Sequence, residues 1–278
     1  MRTGAHVSIA GGLENAIKQA SACGAECFQI FLRSPRGGQP SALTKQEIAD
    51  FKLALKKSGL GPVFVHSSYL VNLASAKPQI ISYSVSSVRD DLERGSLLDL
   101  EAVVVHTGSA VNLTHEMGLK NVVKNVRKIL KGYKGQTKLL LEISAGSGDC
   151  VGRTLDELAW FLKQIKNKKL GVCLDTAHSF ASGYDLSTSV GIGKYMSQVK
   201  KLIRWDQVGL IHANDSKVAL GKLVDRHEHL GQGHIGDKGL REFFRRAELK
   251  NKCVIIETPK DSDSADKKNL AKLRSWTT

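Results

Sequence analysis

Short apolar runs, many of them β-branched, alternate along this chain with longer amphipathic stretches, and that rhythm constrains the fold more than any other feature. Eight runs read as strands: Gly4–Ser8, Glu26–Phe31, Val63–His66, Ala102–His106, Lys138–Ile143, Leu170–Asp175, Val208–Asn214 and Cys253–Thr258. Helical stretches such as Thr44–Ser58, Pro78–Leu100, Glu116–Leu130, Thr154–Ile165 and Gly239–Ala247 lie between them. Thr44 with Glu47 and Thr154 with Glu157 have capping-box spacing, in which a hydroxyl and a carboxylate satisfy free amides at a helix start. Strand–helix alternation makes βα units of a parallel sheet, and eight such units predict a closed α/β barrel, the (β/α)8 TIM barrel. An open doubly wound sheet has fewer strands and a glycine fingerprint after the first, whereas Ala10-Gly11-Gly12 lacks the GxGxxG spacing.

A chain of 278 residues accommodates such a barrel as one domain, residues 1–278, with no repeats, low-complexity tract or linker. The longest irregular piece follows the seventh strand, over Asp215–Asp237, where a long loop is expected to carry function. A hydrophobic fraction of 41% with 24% charged residues excludes a disordered or fibrous protein. The formal charge of +14 favours polyanionic partners, nucleic acid first, although lysine-rich helix faces such as Lys163–Lys169 also serve solubility. Five scattered cysteines show no paired spacing and read as reduced core residues. With no leader-like start and no apolar run near the ~20 residues of a membrane span, a cytoplasmic protein with no membrane partner is expected.

Polar residues sit at the strand ends. His66, His106, Glu142, Asp175, His212 and Glu257 close, or nearly close, strands three to eight, and a barrel brings all such positions to one rim. A single strand-end histidine is ordinarily a hydrogen-bonded structural residue, and a single carboxylate there often caps the next helix. Six together on one rim would be costly unless cations neutralised them. Asp175 and His178 lie three apart beyond a strand end, and Asp225 and His227, two apart, face one way in an extended segment. The mixed His/Asp/Glu set suits zinc or manganese, and its five histidines favour zinc. Nine ligands exceed one tetrahedral ion and fit two or three, an arrangement suited to hydrolysing a phosphodiester.

These residues lie in blocks that resemble the endonuclease IV family of apurinic/apyrimidinic endonucleases. The blocks run from Gly4-Ala5-His6-Val7-Ser8 to Ile256-Glu257-Thr258. Between them come His66–Leu73, His106–Ser109, Glu142 with Ala145-Gly146, Asp175–Asp185, His212–Lys217 and Asp225–Gly236. The resemblance implies three zinc ions: one held by His66, His106 and Glu142, a second by Glu142, Asp175, His212 and Glu257, and a third by His178, Asp225 and His227. It further implies a DNA-repair enzyme that cuts the backbone 5′ to an abasic site in duplex DNA, leaving a 3′-hydroxyl. Glu142 and Glu257 are its expected catalytic carboxylates, and Arg36, Tyr69 and His6 its expected DNA contacts.

Tyrosine stacks on bases and arginine combines charge with stacking, so Tyr69 and Arg36 suit the gap left by a missing base. Gly38 stands where relatives commonly carry an aromatic side chain, which predicts a looser grip there, and Ile143 follows Glu142 where many have a polar residue. Leu230–Asp237 reads as a glycine turn with Asp237 capping a helix. His229 and His234 read as outer-shell or phosphate-facing residues, His115 as an exposed one. Two other readings remain for such a rim: a sugar isomerase or epimerase, which needs fewer ions, and a binder of damaged DNA that does not cut. A monomer is consistent with a rim that clasps a bent duplex.

Overall fold

The eight strands close on one another. A computed structural model describes residues 1–38 and 40–277; Gln39 and Thr278 lie outside the described residues. In chain order the strands are β1 (Arg2–His6), β2 (Cys27–Phe31), β3 (Val63–His66), β4 (Ala102–His106), β5 (Lys138–Glu142), β6 (Leu170–Asp175), β7 (Val208–Ala213), β8 (Asp215–Ser216), β9 (His227–Glu228) and β10 (Cys253–Ile256). All but β8 and β9 form the parallel barrel, which runs from β1 through β2 to β7 and closes where β10 pairs with both β7 and β1. The two-residue strands β8 and β9 pair antiparallel, so the long segment after β7 folds back over the rim instead of trailing loose.

The helices are α1 (Leu13–Ala22), α2 (Lys45–Ser58), α3 (Pro78–Leu97), α4 (His115–Leu130), α5 (Leu155–Ile165), α6 (Thr176–Ala181), α7 (Ser189–Gln198), α8 (Gly236–Phe244) and α9 (Ala265–Thr277). Their apolar faces bury Phe51, Val88, Val126, Phe161 and Phe243 against the outside of the sheet. A second cluster fills the inside: Cys27, Phe64, Ala102, Val104, Leu140, Cys173, Leu210 and Ile255 pack together in the barrel lumen. At β1 the lumen position is Gly4, where a Cβ would lie 1.8 Å from the Cys27 carbonyl oxygen, so only glycine lets β1 close against β2.

Local expectations were mostly met, with instructive exceptions. Thr44 and Glu47 form the full reciprocal capping box. At α5 only half of one forms: Thr154 accepts from the Glu157 amide, but the Glu157 carboxylate turns to the Gly152 and Arg153 amides instead. Strand β1 begins and ends two residues before the expected Gly4–Ser8, and β10 stops at Ile256. Helix α8 starts at Gly236, and Asp237 does not cap it. The buried Asp215 carboxylate reaches across and accepts from the Gly233, Ile235 and Gly236 amides, while Asp237 pairs with Arg241. His115 is exposed, as expected, and its Nε2 lies 2.7 Å from Glu157. No helix among the described residues is long and apolar enough to cross a membrane.

Candidate metal centre

Strand alternation builds the site. In a strand, residues two apart face the same side. Two positions beyond the lumen residues Phe64, Val104, Leu140, Cys173, Leu210 and Ile255 stand His66, His106, Glu142, Asp175, His212 and Glu257. The same step from Gly4 and Cys27 reaches His6 and Gln29. Each barrel strand thus adds one polar side chain to a layer resting on an apolar plug. His178 joins from the first turn of α6, and Asp225 and His227 from the segment that folds back as β9. A cavity of about 760 Å³ opens above, walled by His6, His66, His106, His178 and His227 with Tyr69 at its edge.

Glu142 is fully buried at the centre. Its Oε2 lies 3.3 Å from His66 Nε2 and 3.4 Å from His106 Nε2; its Oε1 lies 2.8 Å from His212 Nδ1 and 3.3 Å from His178 Nδ1. Potential ligand atoms gather in three places: His66, His106 and Glu142; Glu142, Asp175, His212 and Glu257, with the Cys173 thiol also grouped with Glu142 and His212; and Asp175, His178 and His227. Asp225 Oδ1 completes the third, 3.1 Å from His178 Nε2 and 3.5 Å from His227 Nε2. Asp175 touches two of the sets and also accepts from the His178 amide at the start of α6, so one carboxylate is both helix cap and candidate ligand.

The donor set fits cations, as its hydrogen-bond geometry shows. His178 Nδ1 donates to the Ile143 carbonyl and His227 Nδ1 to the Glu257 carbonyl, each at 3.0 Å. In a neutral imidazole the other nitrogen then carries the lone pair. The two Nε2 atoms nevertheless face each other at 3.2 Å, with Asp225 between them. His66 Nδ1 donates to the Ser67 carbonyl at 2.8 Å, which turns its Nε2 lone pair onto Glu142. Acceptors aimed at acceptors in a buried site require a proton or a metal ion, and backbone carbonyls orienting the rings are the usual support of ligating histidines.

Comparisons with known proteins identify the family. A family model described as a xylose isomerase-like TIM barrel matches residues 17–277. Endonuclease 4 of Thermus thermophilus is 40% identical over 278 residues, covering 99% of this chain and 98% of that one. Probable endonuclease 4 of Nitrosopumilus maritimus is 38% identical, covering 99% and 100%. The chain belongs to the endonuclease IV family. The crystal structure of endonuclease IV from a second Thermus thermophilus strain superposes with a TM-score of 0.89 at 38% identity, over 99% of this chain and 98% of that one. A D-tagatose 3-epimerase-like protein shares the barrel at a TM-score of 0.73, but 19% identity shows the fold alone.

Within this endonuclease IV chain, charge compensation is mutual. Burial opposes ionisation of Glu142, yet His106, His212 and His178 outweigh it and hold the carboxyl well below the usual range. Glu257 is lowered in the same way, burial being outweighed by His212, His6 and His66. Conversely, burial opposes protonation of His178, but Asp175, Asp225 and Glu142 raise it well above an ordinary histidine. His212 is raised too, against burial, by Cys173, Glu257 and Glu142. Burial lowers His106. The Cys173 thiol under this layer is pushed up to about 12 by burial.

The nine expected ligands thus converge, and Ile143 after Glu142 contributes through its carbonyl rather than its side chain. His6 lines the cavity and leans on Glu257 at 3.2 Å. Tyr69 is 67% exposed, with Phe31 edge-on beneath it at 5.3 Å. Arg36 is exposed on the loop after β2. That loop is held down by Arg33, whose guanidinium pairs with Asp90 and Asp91, and by Pro35, whose carbonyl accepts from the Tyr69 amide. At Gly38 φ is +104°, which an aromatic side chain would adopt only under strain. His229 pairs with Asp261 and Asn269 away from the sets, and His234 is exposed. Gln29 escaped the sequence analysis; the available signal was a lone polar residue inside Cys27–Phe31, in register with the ligand layer.

Proposed function

We propose that the whole chain, residues 1–278, acts as one DNA-repair domain that hydrolyses the phosphodiester bond 5′ to abasic sites in duplex DNA. It leaves a 3′-hydroxyl and a 5′-deoxyribose phosphate and depends on three zinc ions, with manganese able to take some positions. One observation carries the reading: nine His, Asp and Glu side chains from seven chain segments surround three adjoining points at the mouth of the barrel. Bound there, divalent ions supply an activated water and neutralise charge on both sides of an in-line displacement at phosphorus.

The residues divide the work. Glu142 reaches the first two sets at once and holds them together, and Glu257 closes the second from the last barrel strand. Asp225 and His227 are delivered by the β8–β9 fold-back, so that set adjoins the open cavity. Tyr69 stands exposed at the cavity edge, placed to stack where a base is missing, and Arg36 on the adjoining loop meets the backbone. His6 faces the same cavity and is suited to a phosphate oxygen. The net charge of +14 draws the polyanion in. A cytoplasmic location accords with five free cysteines, and a monomer with a rim that clasps a bent duplex.

Incubation of zinc-loaded protein with a duplex carrying one abasic analogue tests this. A single nick 5′ to the lesion is expected. An intact duplex, with zinc verified by elemental analysis, overturns the proposal; tight binding without cleavage would identify a binder of damaged DNA instead.

A further inference from the structure

We propose that Gln29 is a positioning residue of this centre: its side-chain amide locks His212 into the tautomer that presents Nδ1 to the second ligand set. The inference rests on the metal-dependent reading above and deepens it. Gln29 is fully buried in β2, and all its side-chain partners belong to the ligand layer. Its Nε2 lies 2.6 Å from Glu257 Oε1 and 2.9 Å from His6 Nδ1, and its Oε1 lies 3.0 Å from His212 Nε2.

The contacts to Glu257 and His212 fix which way the Gln29 amide faces. An ionised carboxylate only accepts, so the amide atom beside Glu257 is the nitrogen; the flipped amide would set two oxygens 2.6 Å apart. The oxygen that remains for His212 also only accepts. His212 therefore carries a hydrogen on Nε2, and Nδ1 is the atom left for a metal ion. Nδ1 faces Glu142 Oε1, 2.8 Å away, and Glu257 Oε2, 3.2 Å away, in the set shared with Asp175. The same amide ties up Glu257 Oε1 and leaves Oε2 facing inward. The same Gln29 Nε2 lies beside His6 Nδ1, which also faces Glu257 Oε1 at 3.2 Å, and His6 Nε2 is a buried atom with no hydrogen-bond partner on the cavity wall. The two rings His178 and His227 are fixed by backbone carbonyls, and His212 is fixed by a side chain. Its orientation is accordingly open to mutation.

The test compares wild type with Gln29→Leu, which keeps bulk and removes both hydrogen-bonding groups, and Gln29→Glu, which retains an acceptor for His212. Zinc content is measured by elemental analysis, zinc affinity by competition with a chromophoric chelator, and the His212 tautomer by long-range nitrogen–proton NMR. Wild type is expected to show His212 protonated on Nε2. In Gln29→Leu one zinc should be held roughly 10–100-fold more weakly, the usual effect of losing an outer partner of a ligand, while the others bind as before. Gln29→Glu should preserve the His212 tautomer. A zinc-loaded wild type with His212 protonated on Nδ1 overturns the inference alone, whether or not either variant folds. So does Gln29→Leu with wild-type zinc affinity. A wild type that takes up no zinc overturns the metal-dependent reading and this inference with it.

Discussion

Stripping the metal should destabilise the barrel, and by an amount that grows with pH. At a free zinc concentration about 100-fold above the dissociation constant, each site bound only in the folded state adds about 2.7 kcal/mol. For 278 residues the entropy of unfolding is about 0.6 kcal/mol/K, so one ion is worth roughly 5 °C in Tm and three independent ions roughly 14 °C. The metal-free protein has its own pH dependence. His178 and His212 hold protons more tightly folded than unfolded, so their contribution is full below about pH 6.5 and is lost as pH rises through their raised values. Glu142 and Glu257 are lowered, so theirs is full above about pH 4.5 and is lost as pH falls further. The stripped chain should therefore be most stable between about pH 5 and 6.5 and weaken toward pH 8. Zinc displaces those protons and binds more tightly as pH rises. Calorimetry of chelated and zinc-saturated protein at pH 6 and 8 should show the Tm gap widening at the higher pH. A gap that is absent, or that narrows, refutes the reasoning.

Glu142→Gln should lower incision of an abasic duplex at least ~100-fold, as when one group stabilising developing charge is lost, and unchanged turnover would remove Glu142 from the centre. Tyr69→Ala should weaken binding to an abasic duplex by about 1–3 kcal/mol, the worth of a stacked base, with little change for intact duplex; fluorescence anisotropy on both DNAs decides it. Arg36→Ala should flatten the logarithmic salt dependence of affinity by about one, and an unaltered slope means that it meets no phosphate. Gly4→Ala drives a Cβ into the Cys27 carbonyl, and urea unfolding should report a loss of about 3 kcal/mol or more.

The architecture was legible because it depends on a pattern that every strand repeats. Val63–His66, Ala102–His106 and Leu170–Asp175 are strands between the expected bounds, and their last residues are candidate ligands. Strand alternation also dictates that a side chain two beyond a lumen residue points inward, which makes the polar layer a property of local order. Helix starts were less legible. Asp237 has the type and place of a cap for α8, yet Asp215, held 22 positions earlier beside β7, takes the amides because the fold-back brings it there. Glu157 likewise leaves the Thr154 amide for two amides on the preceding turn.

What the primary structure determined by itself was therefore the barrel, its polar rim and nine candidate donors, since these follow from period-two alternation and side-chain chemistry. Tertiary structure alone decided that Asp175 touches two of the sets and that Gln29 belongs to the layer. Those outcomes depend on distances across a closed barrel and on which nitrogen of each ring is already occupied, and neither is written in the local order of the chain.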